Sequence, residues 1–138
     1  DDVSTQHTDE GWNPLWARWP QYSELYVYGF DTDGAGRWSN LSMPHVDFSI
    51  SPIDKLKIDL LLGYMWAPEA DAVGGGHNRG WLFTWWNKYT LAEGLLSEKD
   101  KLFGHVLVEL MEPGDYYSQA QRDEDIAAFL RFELSYSF

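Results

Sequence analysis

Apolar and polar residues alternate with a period of two along most of the chain. Between residues 55 and 66, apolar or aromatic side chains occupy every second position, and Lys57 and Asp59 stand among the intervening ones. Strict alternation of this kind predicts β-strands with one apolar face. The helical period fits no long segment, although a single helical turn remains an alternative at residues 13–21 or 122–129. The predicted strands are residues 25–30, 44–51, 55–66, 79–91, 101–111 and 127–138.

Most of these strands are long, about 10 to 13 residues, whereas strands of about 5 to 6 residues are usual in globular sheets. A tilted strand that crosses a bilayer needs about 9 to 11 residues. The connections also alternate in length: residues 51–54 are tight, residues 92–100 are intermediate, and residues 67–78 and 112–125 are longer and polar. Bacterial transmembrane barrels alternate short periplasmic turns with longer outer loops. The fold class that we predict is therefore all-β, an antiparallel transmembrane β-barrel.

Aromatic residues stand near both ends of the predicted strands. Tyr64, Trp66 and Trp81 lie next to a long connection, and Tyr136 and Phe138 lie at the opposite end. Aromatic residues make up 17% of the chain, with eight Trp and eight Tyr, which is more than a core of this size requires. Aromatic girdles at the two membrane interfaces would account for this distribution.

About five to six strands are too few for a closed spanning barrel, since the smallest bacterial examples have about eight. An open edge in lipid would leave backbone groups without partners. We therefore expect residues 1–138 to be the C-terminal part of one larger outer-membrane barrel domain. Residues 1–22 are predicted to be a loop segment, and residues 23–138 are predicted to be strands and loops. The rest of the barrel would come from upstream sequence or another chain.

Composition excludes several other classes. The net charge of −12 argues against a nucleic-acid partner, because phosphate recognition needs clustered Lys and Arg. The chain has no cysteine, and thus no disulfide framework. No apolar run is long enough for a transmembrane helix. The polar, acidic N-terminus is not a signal peptide, so one was removed or the chain begins partway through a longer protein.

The positions of charged residues suggest which face would line a pore. The candidate pore-lining residues are Lys57, Asp59, Lys88, His105, Glu109, Arg131 and Glu133. The candidate lipid-facing and girdle residues are Tyr64, Trp66, Trp81, Trp85, Phe132 and Tyr136.

His105, Glu109, Arg131 and Glu133 stand on strands that would be adjacent and antiparallel. They could form a polar patch that orders water or a solute, or a salt-bridge network that stiffens the wall; both interpretations stay open. No nucleophile or metal-ligand spacing accompanies these carboxylates, so we expect no enzyme activity, catalytic residue, metal site or cofactor.

Several segments together resemble the C-terminal end of the alginate-export family of outer-membrane porins. They are GWNPLWARWPQYSELYVY (11–28), WSNLSMPHVDFSISPIDKLKI (38–58), PGDYY (113–117) and FLRFELSYSF (129–138). The resemblance implies a large barrel in the bacterial outer membrane that conducts anionic polysaccharide. The family's pore is rich in Arg, whereas the candidate pore face of this chain mixes both charges. The resemblance also implies that Phe138 is a signal for the barrel-assembly machinery.

We therefore expect a passive channel for small solutes or polysaccharide, in contact with membrane lipid and lipopolysaccharide. The alternative is a soluble β-barrel or sandwich that binds a sugar or lipid. The polarity of the faces separates the two classes: a porin is apolar outside and charged inside, and a soluble barrel is the reverse.

Overall fold

The protein is described by a computed structural model, which covers residues 23–25, 41–69, 76–120 and 125–138. These residues form an all-β fold, as the alternation predicts, with one short 3-10 helix at Asp115–Ala120 between the last two strands. The strands are β1 (His45–Ile53), β2 (Leu56–Trp66), β3 (Asn78–Glu93), β4 (Lys101–Pro113) and β5 (Ala127–Ser137).

The strands form one antiparallel sheet in the order β1-β2-β3-β4-β5, so each strand pairs with the next along the chain. Residues 54–55 and 94–100 connect strands at one end of the sheet, and residues 67–77 and 114–126 connect them at the other. The predicted alternation of short and long connections is confirmed. The sheet is not closed, since β1 and β5 each pair on one side only within the described chain.

The strand register sorts the side chains into two faces, because successive residues of a strand point to opposite sides. One row of paired residues crosses all five strands and is apolar throughout: Phe48, Leu60, Trp85, Val108 and Leu130. We call the side that carries this row the apolar face. Many of its large side chains are exposed, among them Val46 at 73% and Phe132 at 70%.

The opposite side, here the charged face, carries Lys57, Asp59, Lys88, His105, Glu109, Arg131 and Glu133. At the end with the long connections this face also carries a small apolar cluster. Its buried members are Leu25, Met65, Leu82, Met111 and Tyr117. Leu25 and Tyr117 come from outside the sheet, so the segment at Leu25 and the 3-10 helix cover the charged face at this end.

Three sequence predictions about local structure need correction. Glu24 and Leu25 are helical, so no strand begins at Leu25, and the rest of the predicted strand at 25–30 lies outside the described residues. The helical turn considered at 122–129 is wrong at its end, where residues 127–129 begin β5. The predicted loop at 1–22 and the turn at 13–21 lie outside the described residues. β1, β3 and β4 extend beyond their predicted ends, to Ile53, Glu93 and Pro113.

Candidate functional site

A row of ionisable side chains crosses the charged face perpendicular to the strands. Lys57 of β2 pairs with Lys88 of β3, which pairs with His105 of β4, which pairs with Glu133 of β5. Four neighbouring strands thus place a titratable group at the same level. Side chains paired across an antiparallel sheet lie about 4.5–5.5 Å apart at their Cβ atoms, so these groups act on one another electrostatically.

Asp59 holds the two lysines of this row together. Its Oδ1 lies 3.1 Å from Lys57 Nζ, and its Oδ2 lies 3.1 Å from Lys88 Nζ. The hydroxyl of Ser49, opposite on β1, donates a hydrogen bond to the same carboxylate at 2.6 Å. One carboxylate between two ammonium groups leaves this part of the face with a local excess of positive charge.

Trp86 lies between the charged groups and shapes the surface around them. Lys88 Nζ sits 3.7 Å from the centre of its ring, a cation–π contact, and the His105 ring meets it edge-on at 5.4 Å. Its indole Nε1 is buried, and no described group accepts a hydrogen bond from it. The ring therefore limits how far Lys88 can move, and it fixes the position of that charge.

Two grooves lie along the charged face next to Trp86. One, of about 440 Å³, is lined by Lys57, Lys88, Lys101 and His105 among others. The other, of about 330 Å³, adjoins Asp47, Asp59 and Lys88 among others. Open grooves lined by charges of both signs suit water and hydrated solutes. They do not enclose a ligand.

Arg131 connects this row to the covered end of the face. Its Nε lies 3.1 Å from His105 Nε2, and a terminal guanidinium nitrogen lies 3.0 Å from the same atom. Because a guanidinium only donates, His105 Nε2 accepts, and the imidazole proton is assigned to Nδ1. Arg131 also forms an ion pair with the carboxylate of Glu24. His105 Nε2 and Glu133 Oε2 are 3.7 Å apart.

Glu109 is set apart from the other predicted pore-lining residues. Only 1% of it is exposed, and its Oε2 accepts the backbone N–H groups of Glu24 at 2.9 Å and Leu25 at 2.7 Å. The hydroxyl of Thr84 lies 3.4 Å from Oε1. Of the predicted patch, the structure therefore brings Arg131, His105 and Glu133 together and gives Glu109 a different set of partners.

The predicted lipid-facing and girdle residues all lie on the apolar face. At the end with the long connections, Tyr64 and Trp81 pair across β2 and β3 with ring centres 5.0 Å apart. At the opposite end, the rings of Tyr136 and Phe138 are 6.3 Å apart, and Phe138 is almost fully exposed. Trp66, Trp85 and Phe132 are exposed on the same face.

Sequence reasoning missed Trp86 and Glu24 as parts of this site. Trp86 stands at a charged-face position in the alternation of β3, and that position is the only signal that could have found it. Nothing in the sequence places Glu24 near Arg131, because the two residues are 107 positions apart.

No protein-family model, curated protein or solved structure matches the chain.

Among the described residues, no helix has the length and apolar character needed to cross a membrane. Within the same residues, His, Asp and Glu form no group of three that could hold a metal ion.

Proposed function

We propose that the chain contributes five neighbouring strands to the wall of a larger bacterial outer-membrane β-barrel. The barrel would serve as a passive channel for small solutes or polysaccharide. One observation carries this proposal: the described elements that cover the sheet lie on its charged face, and the apolar face is left open. Leu25 and Tyr117 pack over Met65, Leu82 and Met111 on the charged face.

A sheet in water buries its apolar side, because each Å² of apolar surface removed from water is worth about 25 cal/mol. Here the apolar side instead exposes large residues on every strand, such as Phe48 at 56%, Leu62 at 51% and Leu130 at 71%. An apolar patch that spans a whole sheet marks an interaction surface. Lipid suits this patch because its strands have 9 to 16 residues, enough to cross a bilayer.

Within the described part of the chain, β1 and β5 each pair on one side only, which supports a larger barrel. In lipid, backbone N–H and C=O groups that lack partners cost several kcal/mol each. Both edges therefore need further strands beside them, which is the arrangement of a barrel wall. The charged face would then line the water-filled lumen, with residues 54–55 and 94–100 on the periplasmic side.

The resemblance to alginate-export porins points to the same class, and it stays a prediction together with polysaccharide as the cargo. Contacts with lipopolysaccharide, and recognition of Phe138 by the assembly machinery, belong to the same proposal. A soluble ligand-binding barrel or sandwich would need a layer over the apolar face. Among the described residues, only the charged face carries one.

The orientation of the two faces can be tested with single cysteines, since the chain has none of its own. Phe132 and Glu133 are neighbours in β5 that point to opposite faces. In the complete protein reconstituted into vesicles, a fluorophore on Phe132→Cys is expected to be quenched by bromine atoms on lipid acyl chains. The matched Glu133→Cys is expected to react with a water-soluble maleimide and to escape this quenching.

The same preparation is expected to need detergent for extraction and to conduct ions across a planar bilayer. A protein that stays monomeric in buffer without detergent, with no quenching at position 132, would be the soluble alternative and would rule out the channel.

A further inference from the structure

The residues Ser23–Leu25 lie on the charged face at the level of Glu109. Two successive backbone N–H groups, from Glu24 and Leu25, donate to the same carboxylate oxygen. Because Glu109 is 1% exposed, water does not compete for these two hydrogen bonds. The backbone of the segment is therefore tied directly to β4.

Two further contacts hold the same segment. The Glu24 carboxylate forms its ion pair with Arg131 of β5, and Leu25 packs into the cluster with Met111 and Tyr117. The segment thus bonds to two neighbouring strands and packs against the residues that cover them. Charged, backbone and apolar contacts all place it on the same side of the sheet.

We infer that Ser23–Leu25 forms a constriction inside the lumen, and that Glu109 and Arg131 are the positioning residues that hold it there. The inference rests on the proposed channel. On the side of the long connections, Met65, Leu82 and Met111 are fully covered and offer no surface to water. On the other side, the groove with Lys57, Lys88 and Lys101 is open. The segment marks the boundary between these two parts of the wall.

The partly exposed Glu24–Arg131 pair stands at this boundary, and Arg131 continues the contact to His105 on the edge of the groove. A solute that moves along this wall between the outer mouth and the groove has to pass the segment. The constriction therefore selects solutes by size, and the ion pair presents both signs of charge to them.

Single-channel recording of the complete protein in planar bilayers tests the inference. Glu109→Ala removes the acceptor of both backbone N–H groups. We expect the occupancy of a higher-conductance state to rise at least about tenfold, as the loss of two buried hydrogen bonds would produce. Glu98→Ala is the matched control, because it removes an exposed carboxylate in the connection between β3 and β4, away from the segment.

A charge exchange guards against a simple folding defect. Arg131→Glu alone is expected to raise the higher-conductance occupancy, because it places two carboxylates together. Arg131→Glu combined with Glu24→Arg is expected to restore the wild-type conductance, which damage to the fold would not do.

The outcomes separate the two proposals. A wild-type protein that folds in the bilayer and never conducts overturns the channel itself. A conducting wild type with Glu109→Ala indistinguishable from Glu98→Ala overturns the constriction. If the double exchange conducts like the single Arg131→Glu variant, Arg131 does not position the segment.

Discussion

The hydroxyl of Tyr136 in β5 donates a hydrogen bond to the carboxylate of Asp100, which ends the connection between β3 and β4. The same carboxylate accepts the backbone N–H groups of Leu95 at 2.8 Å, Leu96 at 2.6 Å and Ser97 at 3.1 Å. Asp100 is 1% exposed although it lies in a short surface connection. One carboxylate therefore orders this turn and ties it to the aromatic end of β5.

This contact predicts a specific pH dependence of stability. The hydrogen bond from Tyr136, followed by those from the turn backbone, lowers the pKa of Asp100 from 3.8 to about 2. A carboxyl with a depressed pKa in the folded state contributes stability that is fully present above 3.8 and is lost as the pH falls towards about 2. Asp100→Asn is therefore expected to be destabilised near neutral pH and to lose its difference from the wild type at low pH.

Denaturant unfolding of the protein in detergent, between neutral pH and pH 2, measures this difference. Tyr136→Phe is the control. It removes the hydrogen bond that lowers the pKa of Asp100 most and keeps the backbone contacts. The stability of this variant should therefore lose a smaller part of its pH dependence than that of Asp100→Asn. A difference between wild type and Asp100→Asn that stays constant across this range would contradict the assignment.

The two faces of β5 should differ in their tolerance of a charge. Phe132→Arg places a guanidinium on the apolar face, which in a bilayer costs about 2–4 kcal/mol near the midplane. Glu133→Arg adds the same side chain one residue later on the charged face, where a substitution that faces water is expected to cost less than about 1 kcal/mol. The free energy of unfolding from lipid vesicles measures both. Equal losses for the two variants would show that neither face meets lipid.

Lys88 is expected to influence the ion selectivity of the channel. It stands in the central strand of the sheet, and the Asp59 carboxylate and the Trp86 ring fix its position. Lys88→Glu should shift the reversal potential in a salt gradient towards cation selectivity. Lys99→Glu makes the same charge change in an exposed turn and should have little effect. An unchanged reversal potential for Lys88→Glu would remove this residue from the conduction path.

Gly80 is expected to be sensitive to any side chain. Its φ is +108°, and a Cβ built there would lie 2.0 Å from the carbonyl oxygen of Glu112. Gly80→Ala should cost at least about 1–3 kcal/mol of folding free energy, the range for a strained backbone conformation. Gly94→Ala is a matched control, because its φ of +72° is also positive but the nearest atom is 3.9 Å away. Equal effects in urea unfolding would mean that the close contact adds nothing to the backbone strain.

The strands and their faces follow from the alternation itself. Because side chains of a strand point to opposite sides in turn, residues 101–111 already assign His105 and Glu109 to one face and Val106 and Val108 to the other. The tight connection at residues 51–54 and the alternation of shorter and longer connections made a simple antiparallel order the natural expectation. The ends of β3 and β4 were less well predicted, since Ala92, Glu93 and Pro113 continue the pairing where their residue types argue against a strand.

Within the site, the alternation determined that Lys57, Asp59, Lys88, His105, Arg131 and Glu133 share a face with Glu109. Only the tertiary structure decided which of them meet. The register aligns Lys57, Lys88, His105 and Glu133 in one row, and register depends on the pairing of whole strands. The helical Glu24 and Leu25 reach Glu109 and Arg131 across at least 84 positions of sequence, and no local pattern encodes such a contact. The tertiary structure also decided which face is covered, because Leu25 and Tyr117 pack against the apolar side chains of Met65, Leu82 and Met111 on the charged face.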